Sequence, residues 1–377
     1  MRILFVTDSL GPWQTGLPVQ SAHALARMAQ REGHQVLVVV AMRAAGALPS
    51  AACAAAPEVV PGLEADAPLH LLDGVPLLRW DLDGPGTVDD PLAHWLPMAR
   101  FDVAHAVVTP PMLMCLGWLP SAERPLLLGL AGLPSEPVDA ASQRLLRQVD
   151  LCLAPSDHAA ARWRLALPDL AVRTLAHGVD LLGLLQAHAI GMAETRTPTL
   201  VCIADPLDHR SGVQALLQAL LRVDRPELRL RVLCTGPSMP SRAPALAAMA
   251  AADPRVRLEP AQGPGLLSLA GAVDAVCVPS RVPLDFSLPV HDAAVLGLPC
   301  LVSDLGAQAE SARRYGVGRP LPAGDVAAWA AAIEAWATVQ GDRAAEPFQG
   351  DVPLRIEEQA FLCQGHFQEL LYRKQRV

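Results

Sequence analysis

One stretch, Val276 to Asp304, limits the fold more than any other. Its apolar start, Ala275 to Val278, stops at Pro279-Ser280, as a buried parallel strand stops at its carboxyl edge. A proline-bearing polar loop follows and carries Arg281, Asp285 and Ser287. A helix is expected over Val290 to Leu296, ended by Gly297 with Pro299 just beyond it. A second apolar strand, Pro299 to Val302, ends at Ser303-Asp304. Strand, loop, helix, strand, with acids and hydroxyls at the strand ends, is the repeating unit of an open α/β sheet, which binds ligands at those ends.

The same alternation runs through the chain. Strand Ile3–Val6, a loop from Thr7 to Pro18 with Gly11 and Gly16, helix Val19–Arg31, a Gly33-His34 break and strand Gln35–Val40 form an opening unit. The Ala-, Pro- and Gly-rich segment from Ala41 to Asp90 is expected to hold a short hairpin around Leu69–Leu78 and an acidic loop from Asp81 to Asp90. Further strands are expected over Phe101–Ala106, Pro125–Leu130 and Val149–Ala154, and Ser156 is placed to cap a helix running through Leu165. His105, near a strand end, reads either as a structural histidine or as one facing a cleft. Leu181 to Thr197 reads as a connection. Beyond it come strand Thr199–Ile203, helix Gly212–Leu221, strands Leu228–Cys234 and Val256–Leu258, and helices Leu266–Ala272, Val326–Trp336 and Ile356–Tyr372. A chain of 377 residues exceeds one typical core, so two α/β domains are expected.

Composition excludes several functions. The net charge is −8, and the one short basic run is Arg373-Lys374-Gln375-Arg376, which argues against nucleic-acid binding. With two tyrosines there is little to stack single-stranded bases on. The eight cysteines form no C-x-x-C pair, and five of them (Cys152, Cys202, Cys234, Cys277, Cys300) lie in or beside apolar runs, as small buried hydrophobes of a reducing cytoplasm. Met1 to Val6 opens like a signal peptide, but Thr7-Asp8 interrupts it, and it reads as the first strand. No apolar run approaches a membrane span. A cytoplasmic protein is expected, and peripheral membrane contact stays open. Neither a G-x-G-x-x-G following a strand nor a G-x-S-x-G or Walker lysine loop is present, against a nicotinamide, flavin, hydrolase or P-loop enzyme.

Read from Phe286, the pattern F-S-L-P-x-x-D-A-x-x-x-G-x-P resembles the donor-site signature of retaining glycosyltransferases of the GT-B fold, glycosyltransferase family 4 in particular. The resemblance implies two Rossmann-like domains facing across a cleft: residues 1–180 on the acceptor side, 198–350 on the donor side, and 351–377 as a helix crossing back to the first domain. It puts the second family carboxylate at Asp292, on the donor ribose, and the first at Leu284, with Asp285 adjacent. Phe286, Ser287 and Leu288 then lie near the sugar. Glycine lets a backbone come close to phosphates, and Gly16 and Gly236 match the family's glycine turns, each with one glycine fewer. The family's Arg and Lys, which meet the donor diphosphate, fall on Asp205 and on Arg210 or Ser211; an arginine fork suits a diphosphate, so Arg210 is the candidate cation. Glu310 matches a family acid and reads as ligand or as structural residue. At the position of the family's sugar-contacting His stand Ala131-Gly132.

Two functions follow from the resemblance. One is a metal-independent, retaining hexosyl transfer from a UDP-, GDP-, dTDP- or ADP-sugar to an acceptor the sequence does not name, with no cofactor. The other is a catalytically impaired binding or partner subunit of a glycosylation complex, in keeping with the missing His, Arg and first Glu.

Overall fold

The computed structural model describes residues 1–7, 17–42, 54–55, 69–72, 74–81, 101–109, 113, 116, 119, 124–191, 197–205, 208–235, 244–261, 273–339 and 350–376. They form two compact units, residues 1–178 with 356–377, and residues 179–355. Thr7 ends the first strand, and residues 8–16, with the candidate Gly16, lie outside the described residues. So do Gly236, the expected helix Leu266–Ala272 and all but the first residue of the acidic loop.

In the first unit, β1 (Arg2–Thr7) is followed by α1 (Leu17–Arg31) and β2 (Gln35–Met42). Next come β3 (Ala54–Ala55), β4 (Leu69–Leu72) and β5 (Val75–Asp81), then β6 (Val103–Val108) and β7 (Leu126–Leu130). Helix α2 (Ala140–Leu146), β8 (Leu151–Ala154), α3 (Asp157–Ala166) and β9 (Val172–Thr174) complete the run. The sheet order is β3-β4-β5-β2-β1-β6-β7-β8-β9, parallel except where β4 pairs with β3 and β5. The hairpin expected around Leu69–Leu78 is the β4–β5 pair, with Leu69 opposite Leu78. Ile3 to Val6 are all buried, as a strand covered on both faces requires. Ser156 caps α3, its Oγ accepting from the Ala159 N–H at 3.0 Å.

The C-terminal helix, Ile356–Lys374, belongs to this first unit and packs against α1. Of its buried residues, Ala360, Cys363, Phe367 and Leu370 follow one another at three- and four-residue steps along one face, with Gln359 beside Ala360. Arg173 of β9 donates to both Glu369 oxygens, at 2.6 and 2.9 Å, and Lys374 pairs with Asp150 at 3.1 Å. The ring of Phe367 meets His105 edge-on at 5.7 Å. His105 is therefore a core residue, 2% exposed, between Phe5 and Phe367.

The second unit opens with α4 (Leu181–Gly191), where the sequence suggests a connection; the Asp180 carboxylate accepts from the Gly183 N–H at 2.9 Å and starts it. Then come β10 (Thr199–Ala204), α5 (Val213–Leu220), β11 (Arg229–Cys234), α6 (Pro244–Ala251) and β12 (Val256–Pro260). They are followed by β13 (Ala275–Val278), α7 (Leu288–Leu296), β14 (Cys300–Ser303), α8 (Gly306–Arg314), β15 (Pro320–Leu321) and α9 (Val326–Val339). All pairs in this sheet are parallel, in the order β12-β11-β10-β13-β14-β15. The order reverses between β10 and β13, and in such sheets the crevice for a ligand opens there, outside the carboxyl ends of the strands.

Candidate functional site

Two loops meet at that reversal. After β10, Asp208 starts a 3-10 turn, His209–Ser211, and Gly212 leads into α5 at φ 76°. A Cβ on Gly212 would stand 1.9 Å from the Pro279 carbonyl oxygen, so this crossing needs glycine both for its backbone and for its space. After β13, the Arg281 N–H donates to the Arg210 carbonyl at 2.7 Å, which ties the second loop to the first.

The second loop is also held from below by α8. Gln308, fully buried, accepts from the Leu284 N–H at 3.1 Å and donates to the Val282 carbonyl at 3.1 Å. Ser303, at the end of β14, donates to the Ser280 carbonyl at 2.6 Å. Gly306 begins α8 with no room for a side chain, since a Cβ would lie 2.6 Å from the Leu284 nitrogen. Buried polar groups paired in this way fix a loop's shape.

The candidate residues fall on this frame as follows. Arg210 is exposed, but Asp208 holds its guanidinium, with Nε at 2.9 Å and a terminal nitrogen at 2.9 Å. The hydrogen bonds from Arg210 hold the Asp208 carboxyl below its usual range, and those to Asp208 raise the Arg210 guanidinium. Ser211 closes the turn, its N–H donating to the Asp208 carbonyl at 2.9 Å. Asp285 and Glu310 are half-buried, in the loop and in α8. Phe286 is buried and lies 4.1 Å from the His291 ring, which meets Tyr315 edge-on at 4.9 Å. Burial pushes the Tyr315 phenol up to about 12. Ser287 caps α7 by position, yet its buried Oγ has no hydrogen-bond partner among the described residues. Leu288 is the first residue of α7 and is buried.

Asp292 sits inside α7 and is 2% exposed. The folded unit therefore covers the carboxylate expected to meet a ribose. Leu284, at the position of the missing first carboxylate, contributes its backbone: its carbonyl accepts from the Ala307 N–H at 2.9 Å. Ala131, where the family histidine is expected, is buried, and Gly132 follows at φ 103°. Sequence reasoning assigns no role to Asp208, Gln308 or Arg281. An Asp two residues before an Arg at a turn is the available signal for the first; the burial of Gln308 has none. Among the described residues no group of three or more His, Cys, Asp or Glu is placed to hold a metal ion.

The comparisons agree with this architecture. The family model "Glycosyl transferases group 1" matches residues 197–338, within the second unit. No curated protein matches the chain by sequence. Among solved structures, Anabaena HepE in complex with UDP is similar at 17% identity and a TM-score of 0.64, covering 100% of this chain and 98% of that one. A glycosyltransferase from Rickettsia africae is similar at 12% identity and a TM-score of 0.72, with 98% of each chain covered. Sucrose-phosphate synthase from Thermosynechococcus elongatus is similar at 16% identity and a TM-score of 0.65, covering 98% of this chain and 95% of that one. Residues 197–338 thus match the glycosyl transferases group 1 family, carried in a chain of GT-B fold.

Proposed function

We propose that the protein transfers a hexosyl group from a nucleotide sugar to an acceptor, with retention of configuration and without a metal ion, in the cytoplasm. The observation that carries this reading is the pair of loops joined at the reversal of the second sheet, inside the stretch that matches the family model. The structures of Anabaena HepE with UDP and with UDP-glucose support a nucleotide-sugar donor. In the reaction the bond from the anomeric carbon to the diphosphate oxygen breaks and its electron pair leaves with the diphosphate. The acceptor oxygen bonds to that carbon and gives up its proton to an oxygen of the leaving diphosphate. Charge grows on the leaving diphosphate, so cations and helix N-termini lower the barrier.

In this reading Asp292 holds the ribose, Arg210 and Ser211 lie near the diphosphate, and Asp285 to Leu288 lie near the sugar, with Glu310 beside them; Gly16 and Gly236 lie outside the described residues. A second reading, a binding or partner subunit without catalysis, is favoured by Ala131 at the histidine position and by the engagement of Arg210 with Asp208.

Thermal unfolding against UDP-, GDP-, dTDP- and ADP-sugars tests the proposal. Saturable stabilisation by one of them, about 2.7 kcal/mol at a hundredfold excess over Kd, is expected. Transfer or slow hydrolysis of that sugar, undiminished by EDTA, separates the enzyme from the partner subunit. Asp292→Ala is expected to weaken the donor about tenfold or more, as the loss of a charge-assisted hydrogen bond does. Stabilisation by none of the four donors excludes the donor site.

A further inference from the structure

We propose that Arg281 supplies the second positive charge for the donor diphosphate, the charge that the β10 loop lacks; this rests on the reading of the second unit as the donor side. Three observations converge on it. First, the arginines in the two loops that meet at the reversal are Arg210 and Arg281 among the described residues. Arg210 already commits Nε and a terminal nitrogen to Asp208. Arg281 is exposed and makes no ion pair among the described residues, so its side-chain donors are available.

Second, two carboxylates of the segments beside its side chain accept from backbone N–H groups. The Arg281 side chain passes Gly324, where a Cβ would lie 3.6 Å from its Nε. On either side of that glycine, Asp304 accepts from the Ala323 N–H at 3.1 Å, and Asp325 accepts from the Ala327 and Ala328 N–H groups at 3.0 Å. Both are engaged by backbone rather than by the arginine.

Third, Arg281 is held by its backbone at the place where a ligand binds in such a sheet. Its N–H donates to the Arg210 carbonyl, and the Gln308 amide fixes the next residue, Val282. The same loop ends at Ser287, whose buried Oγ has no partner among the described residues. A charge on a fixed backbone, with a free forked head, suits two neighbouring phosphates.

The test is titration calorimetry of the wild-type chain and variants with UDP, GDP, dTDP and ADP. With the diphosphate that binds the wild type most tightly, Arg281→Gln is expected to weaken binding about ten- to hundredfold, as loss of a hydrogen bond to a charged group does. Arg281→Lys recovers part of the loss, Arg210→Gln costs less than Arg281→Gln, and Asp208→Asn strengthens binding by releasing Arg210. Unfolding midpoints without ligand confirm that each variant is folded. Wild-type affinity in Arg281→Gln overturns the assignment and leaves the donor site standing. Binding of none of the four by the wild type overturns the donor site itself, and Arg281's part with it.

Discussion

His105 shows how one side chain sets the acid limit of the first unit. Burial, and then the charges of His177 and His366, push its imidazole down to about 3 from an ordinary 6.5. Both ring nitrogens are buried without a hydrogen-bond partner among the described residues. The folded protein keeps this ring neutral while the unfolded chain takes up a proton near 6.5, so acid favours unfolding from that pH downward. At pH 5 the loss is about 2 kcal/mol from this residue. His177, lowered to about 4 by burial, acts in the same direction. His105→Leu is expected to flatten the fall in urea stability between pH 7 and pH 5; an unchanged slope would show that the acid sensitivity lies elsewhere.

At the scale of elements, the β13–α7 loop depends on α8. Gln308→Leu would leave the Leu284 N–H without its partner, at about 1–3 kcal/mol, and the Val282 carbonyl with the Ser280 Oγ alone. Urea unfolding is expected to show this loss, and donor affinity is expected to fall with it because the loop carries Arg281 and Ser287. Unaltered affinity in a folded Gln308→Leu protein would mean that the loop keeps its shape without the amide.

The elements themselves were largely readable. Short apolar runs ended by small or polar residues became parallel strands, and Ser156 announced its helix. Two boundaries moved for identifiable reasons. Helix α7 starts at Leu288 rather than Val290, because Pro289 lies in the first turn, where its missing N–H is not needed. Leu181–Gly191 is helical although it has no polar face to set a period, and the Asp180 cap was its only local signal. The site was less readable, since the clamp of Asp208 on Arg210 and the burial of Asp292 and Gln308 arise from folding, not from spacing.

At the scale of the molecule, the first unit is made of two separated pieces of chain, 1–178 and 356–377. Phe367→Ala is expected to cost about 3–5 kcal/mol, as removal of a buried aromatic ring does. Hydrogen exchange should locate the loss in β1, β6 and α1 while the strands of the second unit keep their protection. Equal loosening of both units would mean that they unfold as one.

The late position of the closing helix also bears on synthesis. Residues 179–355 are translated between the two pieces, which takes on the order of 10–35 s at typical elongation rates. For that interval the nascent first unit presents the apolar side of Phe5 and His105 to the cell uncovered, so this chain is expected to be a client of ribosome-associated chaperones.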